Sequence, residues 1–136
     1  YISCVLLAGG TPIIIDTYEK EEYKLSAKKL QAAITPKTKA LILSYPNNPT
    51  GAVMTKDDLM KIAEVVEAAD IMVISDEIYS EMVFEGEPFT SFAALPDMKE
   101  RTILINGVTK TYSMPGWRLG YACGAPEIID AMLKVH

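Results

Sequence analysis

The sequence predicts an α/β fold with a mostly parallel sheet, and three observations carry that reading. Ala40-Leu41-Ile42-Leu43 and Ile71-Met72-Val73-Ile74 are unbroken apolar runs, the pattern of parallel strands covered on both faces. Between them, Thr55-Lys56-Asp57-Asp58 opens a segment with Leu59, Ile62, Ala63, Val66 and Ala69 at three-four spacing, which is an amphipathic helix behind a capping box. Strand, helix and strand at this spacing make a βαβ unit with a right-handed crossover. The third observation is Thr102 to Asn106, a further buried-looking strand that runs into a glycine turn.

The remaining elements follow in order. Tyr1 to Ala8 is apolar and reads as the tail of a helix, closed by Gly9-Gly10, where a left-handed C-cap costs little. Ile13-Ile14-Ile15 is a β-branched run and predicts a strand ending at Asp16. Thr17 to Leu25 is charged and predicts a solvated loop, after which Ser26 caps a short helix through Ala33, with Ala27, Leu30, Ala33 and Ile34 on one face and Thr35-Pro36 as its stop. From Ser80 to Arg101 the pattern is irregular, with Pro88 and Pro96, so a long loop is expected with one helical turn near Ser91 to Leu95. Arg118 to Cys123 alternates and predicts a fifth strand. Pro126 then starts a helix over Glu127 to Val135, with Ile128, Ile129, Met132 and Leu133 inward.

Composition narrows the function classes. With 136 residues, 49% hydrophobic and 23% charged, the chain has enough core for one domain and is not disordered. Beginning at Tyr1 and stopping at His136 just after a helical pattern, it reads as a piece of a longer protein. A net charge of −5, with acidic residues scattered among the lysines, gives no footprint for nucleic acid or an anionic membrane, so a small metabolite is the expected partner. No apolar run approaches the roughly 18 residues that span a bilayer. Cys4 and Cys123 have no metal-type spacing and point to a reducing cytoplasm, and His136 is the only histidine, which removes His-based triads and metal sites.

The chemistry converges on strand ends. Asn48 comes four residues after the strand ending at Ser44, Asp76 closes its own strand, and Lys110 comes four residues after Asn106. All three lie at carboxyl ends, the edge of an open α/β sheet where ligands bind. Lys110, in a loop before aromatic and small residues, is placed to be partly desolvated and nucleophilic. Eight residues on, Arg118 sits inside the apolar run Trp117 to Tyr121 and calls for an anion, so amine and guanidinium together suggest a phosphorylated aldehyde cofactor. Each residue also has an ordinary reading. A loop lysine is usually a solvated charge, Asp76 caps a turn as readily as it touches a ligand, and Asn48 is a turn former. Arg118 suits a structural ion pair equally well. Tyr79, Trp117, Tyr112 and Tyr121 read as packing residues.

Three motifs then carry a resemblance. PNNPTG at Pro46 to Gly51, SDEIY at Ser75 to Tyr79, and VTKTYSMPGWRLGY at Val108 to Tyr121 resemble, in order and spacing, the class I/II aminotransferases of the fold-type I pyridoxal-phosphate enzymes. The resemblance implies that residues 1–136 are the central part of the PLP-binding large domain, a three-layer α/β/α fold with a mostly parallel sheet. It implies that Lys110 forms a Schiff base with pyridoxal 5'-phosphate and then shuttles the substrate proton as acid and base. Asp76 would face the pyridine nitrogen and keep it protonated, so that the ring accepts the carbanion's electrons. Tyr79 and Asn48 would donate to the phenolic oxygen, and Arg118 would hold the phosphate. Asn48-Pro49 is a cis peptide in many relatives.

Two positions depart from the family pattern. Gly107 stands where relatives often have a phosphate-binding Ser or Thr, leaving Thr109 as the alternative hydroxyl, and Pro115 stands where Thr is common. The glycine-rich phosphate loop would precede Tyr1, and the small domain with its carboxylate-binding arginine would follow His136. One missing strand would also fall between Ile13 to Ile15 and Ala40 to Leu43, leaving a gap or an exposed edge, so the piece alone is expected to be inactive or nearly so. The implied function is amino-group transfer between an amino acid and a 2-keto acid by a cytoplasmic homodimer. A carbon-sulfur lyase of the same fold, or the aminotransferase-like sensing half of a transcription regulator, keeps the same lysine and aspartate.

Overall fold

A computed structural model describes residues 1–84, 86 and 88–136. Its elements in chain order are α1 (Ile2–Leu7), α2 (Ala27–Ala33), β1 (Ala40–Ser44), α3 (Lys56–Ala68), β2 (Met72–Asp76), β3 (Thr102–Gly107), α4 (Val108–Thr111), β4 (Gly120–Cys123) and α5 (Pro126–Val135). The sheet order is β1-β2-β3-β4. β1, β2 and β3 are parallel, with Leu41 opposite Val73 and Asp76 opposite Ile105, and β4 returns antiparallel with Asn106 opposite Tyr121.

Local chemistry explains the best-defined helix. The Thr55 hydroxyl accepts from the Asp58 N–H at 3.1 Å, and the Asp58 carboxylate accepts from the Thr55 N–H at 3.0 Å, closing a reciprocal capping box on α3. Burial pushes the Asp58 carboxyl up, but the bonds from Thr55 and the nearby Lys24 ammonium outweigh it and hold it below the usual range. Thr55→Ala is expected to cost about 1 kcal/mol of stability, read as a lowered Tm. An unchanged Tm would show that the cap adds nothing to what packing already provides.

Leu59, Ile62, Ala63 and Val66 of α3 are buried, and with Leu30 of α2 they cover Leu41, Leu43 and Val73 on one face of the sheet. Each large side chain so buried contributes roughly 1.5–3 kcal/mol. Phe92, Leu95 and Met98, from the long β2–β3 connection, complete this core. The opposite face, with Ile42, Ile74 and Ile103, is only half-buried.

The structure departs from the sequence reading in several places, each with a physical cause. Ile13 to Ile15 forms no strand, because β1 exchanges ladder hydrogen bonds with β2 and no described segment pairs with 13–15; Ile13 and Ile14 are exposed. A β-branched run becomes a strand only when a neighbour satisfies its backbone. Among the described residues four strands therefore stand where five were expected. The charged segment 17–25 contains a short 3-10 turn, Glu19–Glu21, and the described residues of the long connection contain three such turns rather than one. Lys110 lies not in an open loop but in the one-turn helix α4. Arg118 falls outside the last strand, at φ 53°, and only Gly120–Cys123 pairs with β3. On α5, Ile128 and Ile129 are half-buried, but Met132 and Leu133, expected inward, are exposed, because no described segment packs over that end of the helix. Among the described residues no helix is long and apolar enough to cross a membrane.

Candidate active site

The carboxyl ends of β1, β2 and β3 gather the candidate residues. The turn after β1 brings Asn48 to Tyr79, whose hydroxyl accepts from Asn48 Nδ2 at 3.1 Å. Both Asn48-Pro49 and Tyr45-Pro46 are cis. Because Tyr79 accepts this bond, its phenol proton and the second amide hydrogen of Asn48 remain available, two donors suited to one oxygen. Lys110 Nζ stands 5.4 Å from the centre of the Tyr79 ring, within cation–π reach. Three residues from three segments thus meet at one edge, with Asp76 closing β2 beside them.

Strand alternation separates two adjacent carboxylates. Asp76 falls on the half-buried face with Met72 and Ile74, where Oδ1 accepts from the Ile78 N–H at 3.2 Å and Oδ2 accepts from the Tyr1 hydroxyl. Glu77 falls on the covered face with Val73 and Ser75 and is 2% exposed. Its Oε1 accepts from Ser75 Oγ and Ser91 Oγ, both at 2.9 Å, and from the Phe92 N–H at 3.1 Å. Burial pushes the Glu77 carboxyl above its ordinary value, opposed by those three bonds, while the neighbouring Asp76 charge adds to the rise. The sequence reading missed Glu77, although Val73-Ser75-Glu77 at period two was a cue to it.

Arg118 is not desolvated. It is exposed, donates from Nη1 to the Pro115 carbonyl at 3.3 Å, and among the described residues has no carboxylate partner within 4.0 Å, so the structural ion pair does not form. Trp117 is 66% exposed and Tyr112 and Tyr121 are also exposed, so the apolar run around Arg118 does not pack on the sheet. Thr109 is half-buried one residue before Lys110.

Gly107 has a steric reason. A Cβ there would stand 2.9 Å from the Leu119 carbonyl oxygen and 3.2 Å from Gly120 Cα, because β4 passes directly across the end of β3. Its φ of −176° is ordinary extended backbone, so the constraint is close approach, not conformation. Gly107→Ala is expected to cost about 1–3 kcal/mol through displacement of β4, measured by thermal unfolding. A variant as stable as the wild type would mean that β4 shifts freely.

The family model for aminotransferase class I and II matches residues 1–136. The chain belongs to the class I and II aminotransferases. Among curated members of the family it is 46% identical over 134 residues to aromatic-amino-acid aminotransferase 2 of Thermococcus litoralis, covering 98% of this chain and 34% of that protein. It is 45% identical over 136 residues to the aspartate aminotransferase of Bacillus subtilis, covering 99% and 35%. Among solved aminotransferase structures, the aromatic aminotransferase of Pyrococcus horikoshii superposes with a TM-score of 0.97 at 46% identity, over 99% of this chain and 36% of that one. The Thermus thermophilus aspartate aminotransferase with maleate gives 0.93 at 41% identity, over 99% and 35%. The chain therefore spans about a third of the length of the aminotransferases it matches.

Proposed function

We propose that the full-length protein transfers an amino group between an amino acid and a 2-keto acid, using pyridoxal 5'-phosphate held at the carboxyl edge of this sheet. The observation that carries the reading is the meeting of Lys110, Tyr79 and Asn48 beside Asp76, within a chain of this family. The donor set suits the group: an amine for an aldehyde, two free donors at one point for a phenolic oxygen, a carboxylate for a ring nitrogen, and Arg118, which has no carboxylate partner among the described residues, with the Thr109 hydroxyl for a phosphate. When bound, pyridoxal phosphate supplies an aldehyde that captures amines and a protonated ring that withdraws electrons from the carbon losing its proton.

The chain's own residues do the rest. The Lys110 amine would hold the cofactor by its aldehyde and, as a free amine, would take the proton from the substrate's α-carbon and return it as acid. The Asp76 carboxylate keeps the ring nitrogen protonated, because a fixed anion favours the cationic form of its neighbour. Asn48 and Tyr79 orient the ring by its phenolic oxygen. The cytoplasmic homodimer implied by the motif resemblance belongs to the same proposal.

Borohydride reduction of the full-length protein after incubation with pyridoxal phosphate, followed by peptide mass mapping, tests the assignment. A pyridoxyl group confined to the Lys110 peptide is the expected result; labelling spread over surface lysines would sink it. Keto-acid release from an amino donor should require a keto-acid acceptor beyond the first turnover. Sustained pyruvate and ammonia from cysteine-like substrates without an acceptor would instead identify a carbon-sulfur lyase.

A further inference from the structure

Asn106 carries two bonds that none of the functions above uses. Its Nδ2 donates to Ser80 Oγ at 3.2 Å, and its Oδ1 accepts from the Gly107 N–H at 2.7 Å. Ser80 directly follows Tyr79, and its own N–H donates to the Glu77 carbonyl at 2.9 Å, so the grip falls on the turn that presents the phenol. Gly107 is the N-cap residue of α4, the single turn that presents Lys110. One amide therefore fastens the Tyr79 turn and the Lys110 turn to the same point. That point is rigid, because the Asn106 backbone lies in β3, opposite Tyr121 of β4.

The residue type matters. Gly107 needs an acceptor and the Ser80 hydroxyl can serve as acceptor or donor, so an amide makes both bonds, a carboxylate can replace it only if the hydroxyl turns to donate, and an alkyl group makes neither. We propose that Asn106 is a positioning residue that sets the separation of the Lys110 amine from the Tyr79 phenol. It touches neither substrate nor cofactor and acts through Ser80 and Gly107. The inference rests on the aminotransferase reading, since it assigns Asn106 to the geometry of that reaction. The ladder bonds of β3 are backbone bonds, so truncating the side chain leaves the sheet paired.

The test uses the full-length protein loaded with pyridoxal phosphate and compares the wild type with Asn106→Ala, Asn106→Asp, Ser80→Ala and the Asn106→Ala/Ser80→Ala double variant. The readouts are kcat, KM for the amino donor, and the pH midpoint of the visible absorption band of the Lys110-bound cofactor. Misplacement by a fraction of an ångström to 1 Å predicts a kcat lower by about 10- to 100-fold for Asn106→Ala, with KM changed far less and the pH midpoint displaced. Asn106→Asp should lose less than Asn106→Ala, because its carboxylate still accepts from the Gly107 N–H and the Ser80 hydroxyl can turn to donate to it. Ser80→Ala should show a smaller loss of the same kind, and the double variant should be no worse than Asn106→Ala, because Asn106→Ala already breaks the one link that Ser80→Ala removes.

Wild-type kcat and pH midpoint in Asn106→Ala would overturn the proposal, as would multiplicative effects in the double variant or a lowered Tm as the only change. Should Asn106→Ala fail to fold, Ser80→Ala decides alone, and a wild-type profile there is equally fatal. Failure of the parent reading is separately visible: a wild type with no label on Lys110 overturns the aminotransferase reading and this one together, whereas a labelled wild type beside an indifferent Asn106→Ala overturns only the positioning role.

Discussion

Lys110→Ala in the full-length protein is expected to lower kcat by about 10⁴-fold, the upper range for loss of a positioned acid–base group, with loss of the covalent link added to it. The reason is geometric. Among the described residues Lys110 is the amine placed over the Tyr79 ring, at the strand edge shared with Asp76 and Asn48. Lys61→Ala, an exposed lysine on the solvent side of α3, is the control and should retain wild-type kcat. Stability should change little in either variant, since Lys110 makes no ion pair with a described carboxylate and Lys61 is solvated. A Lys110→Ala enzyme retaining a tenth of wild-type kcat would remove the amine from the chemistry and with it the proposed function.

Glu77→Leu is expected to be among the most destabilising single changes in the chain, at roughly 3 kcal/mol or more, because it orphans buried donors while keeping the volume filled. Ser75 and Ser91 can rotate their hydroxyls elsewhere, but the buried Phe92 N–H points at the lost oxygen and has no such freedom. Chemical denaturation of the Leu variant against the wild type measures the loss. Wild-type stability would show that packing, not the three-donor bond set, fixes the 91–92 segment.

The same carboxyl gives the pH dependence its sign. Burial raises the folded-state pKa of Glu77 above the ordinary value of a glutamate carboxyl. The folded protein then binds this proton more tightly than the unfolded chain. The contribution to stability is complete below about 4.5 and is lost as pH rises through the elevated folded value. Glu77→Gln keeps an acceptor but cannot titrate, so its stability relative to the wild type should improve as pH rises through that window and level off above it. A difference that stays flat with pH would mean that Glu77 titrates normally when folded.

Asp76 and Glu77 show how far the sequence could be read. Their order in SDEIY identified the strand end, and period two assigns one carboxylate to each face, but which face is covered depends on α2 and α3 packing against Leu41, Leu43 and Val73. The chemistry of a carboxylate is set by what desolvates it, and that lies outside its own segment. Arg118 shows the opposite case: its apolar neighbours in sequence suggested a buried cation, yet Trp117, Leu119 and Tyr121 are exposed, because adjacency along the chain removes no water.

The sequence by itself determined the elements whose causes are local: the βαβ unit from its apolar runs and the Thr55 capping box, the Ser26 cap, the Pro126 helix start, and the motif order that identifies the family. Only the tertiary structure decided the rest. It denied 13–15 a partner, turned the segment around Lys110 into a helical turn, ran β4 so close to Gly107 that a side chain has no room, and let Asn106 hold two turns at once. Propensity and capping act within a few residues, whereas strand pairing, close approach and convergent hydrogen bonds join positions tens of residues apart and exist only once the chain has folded.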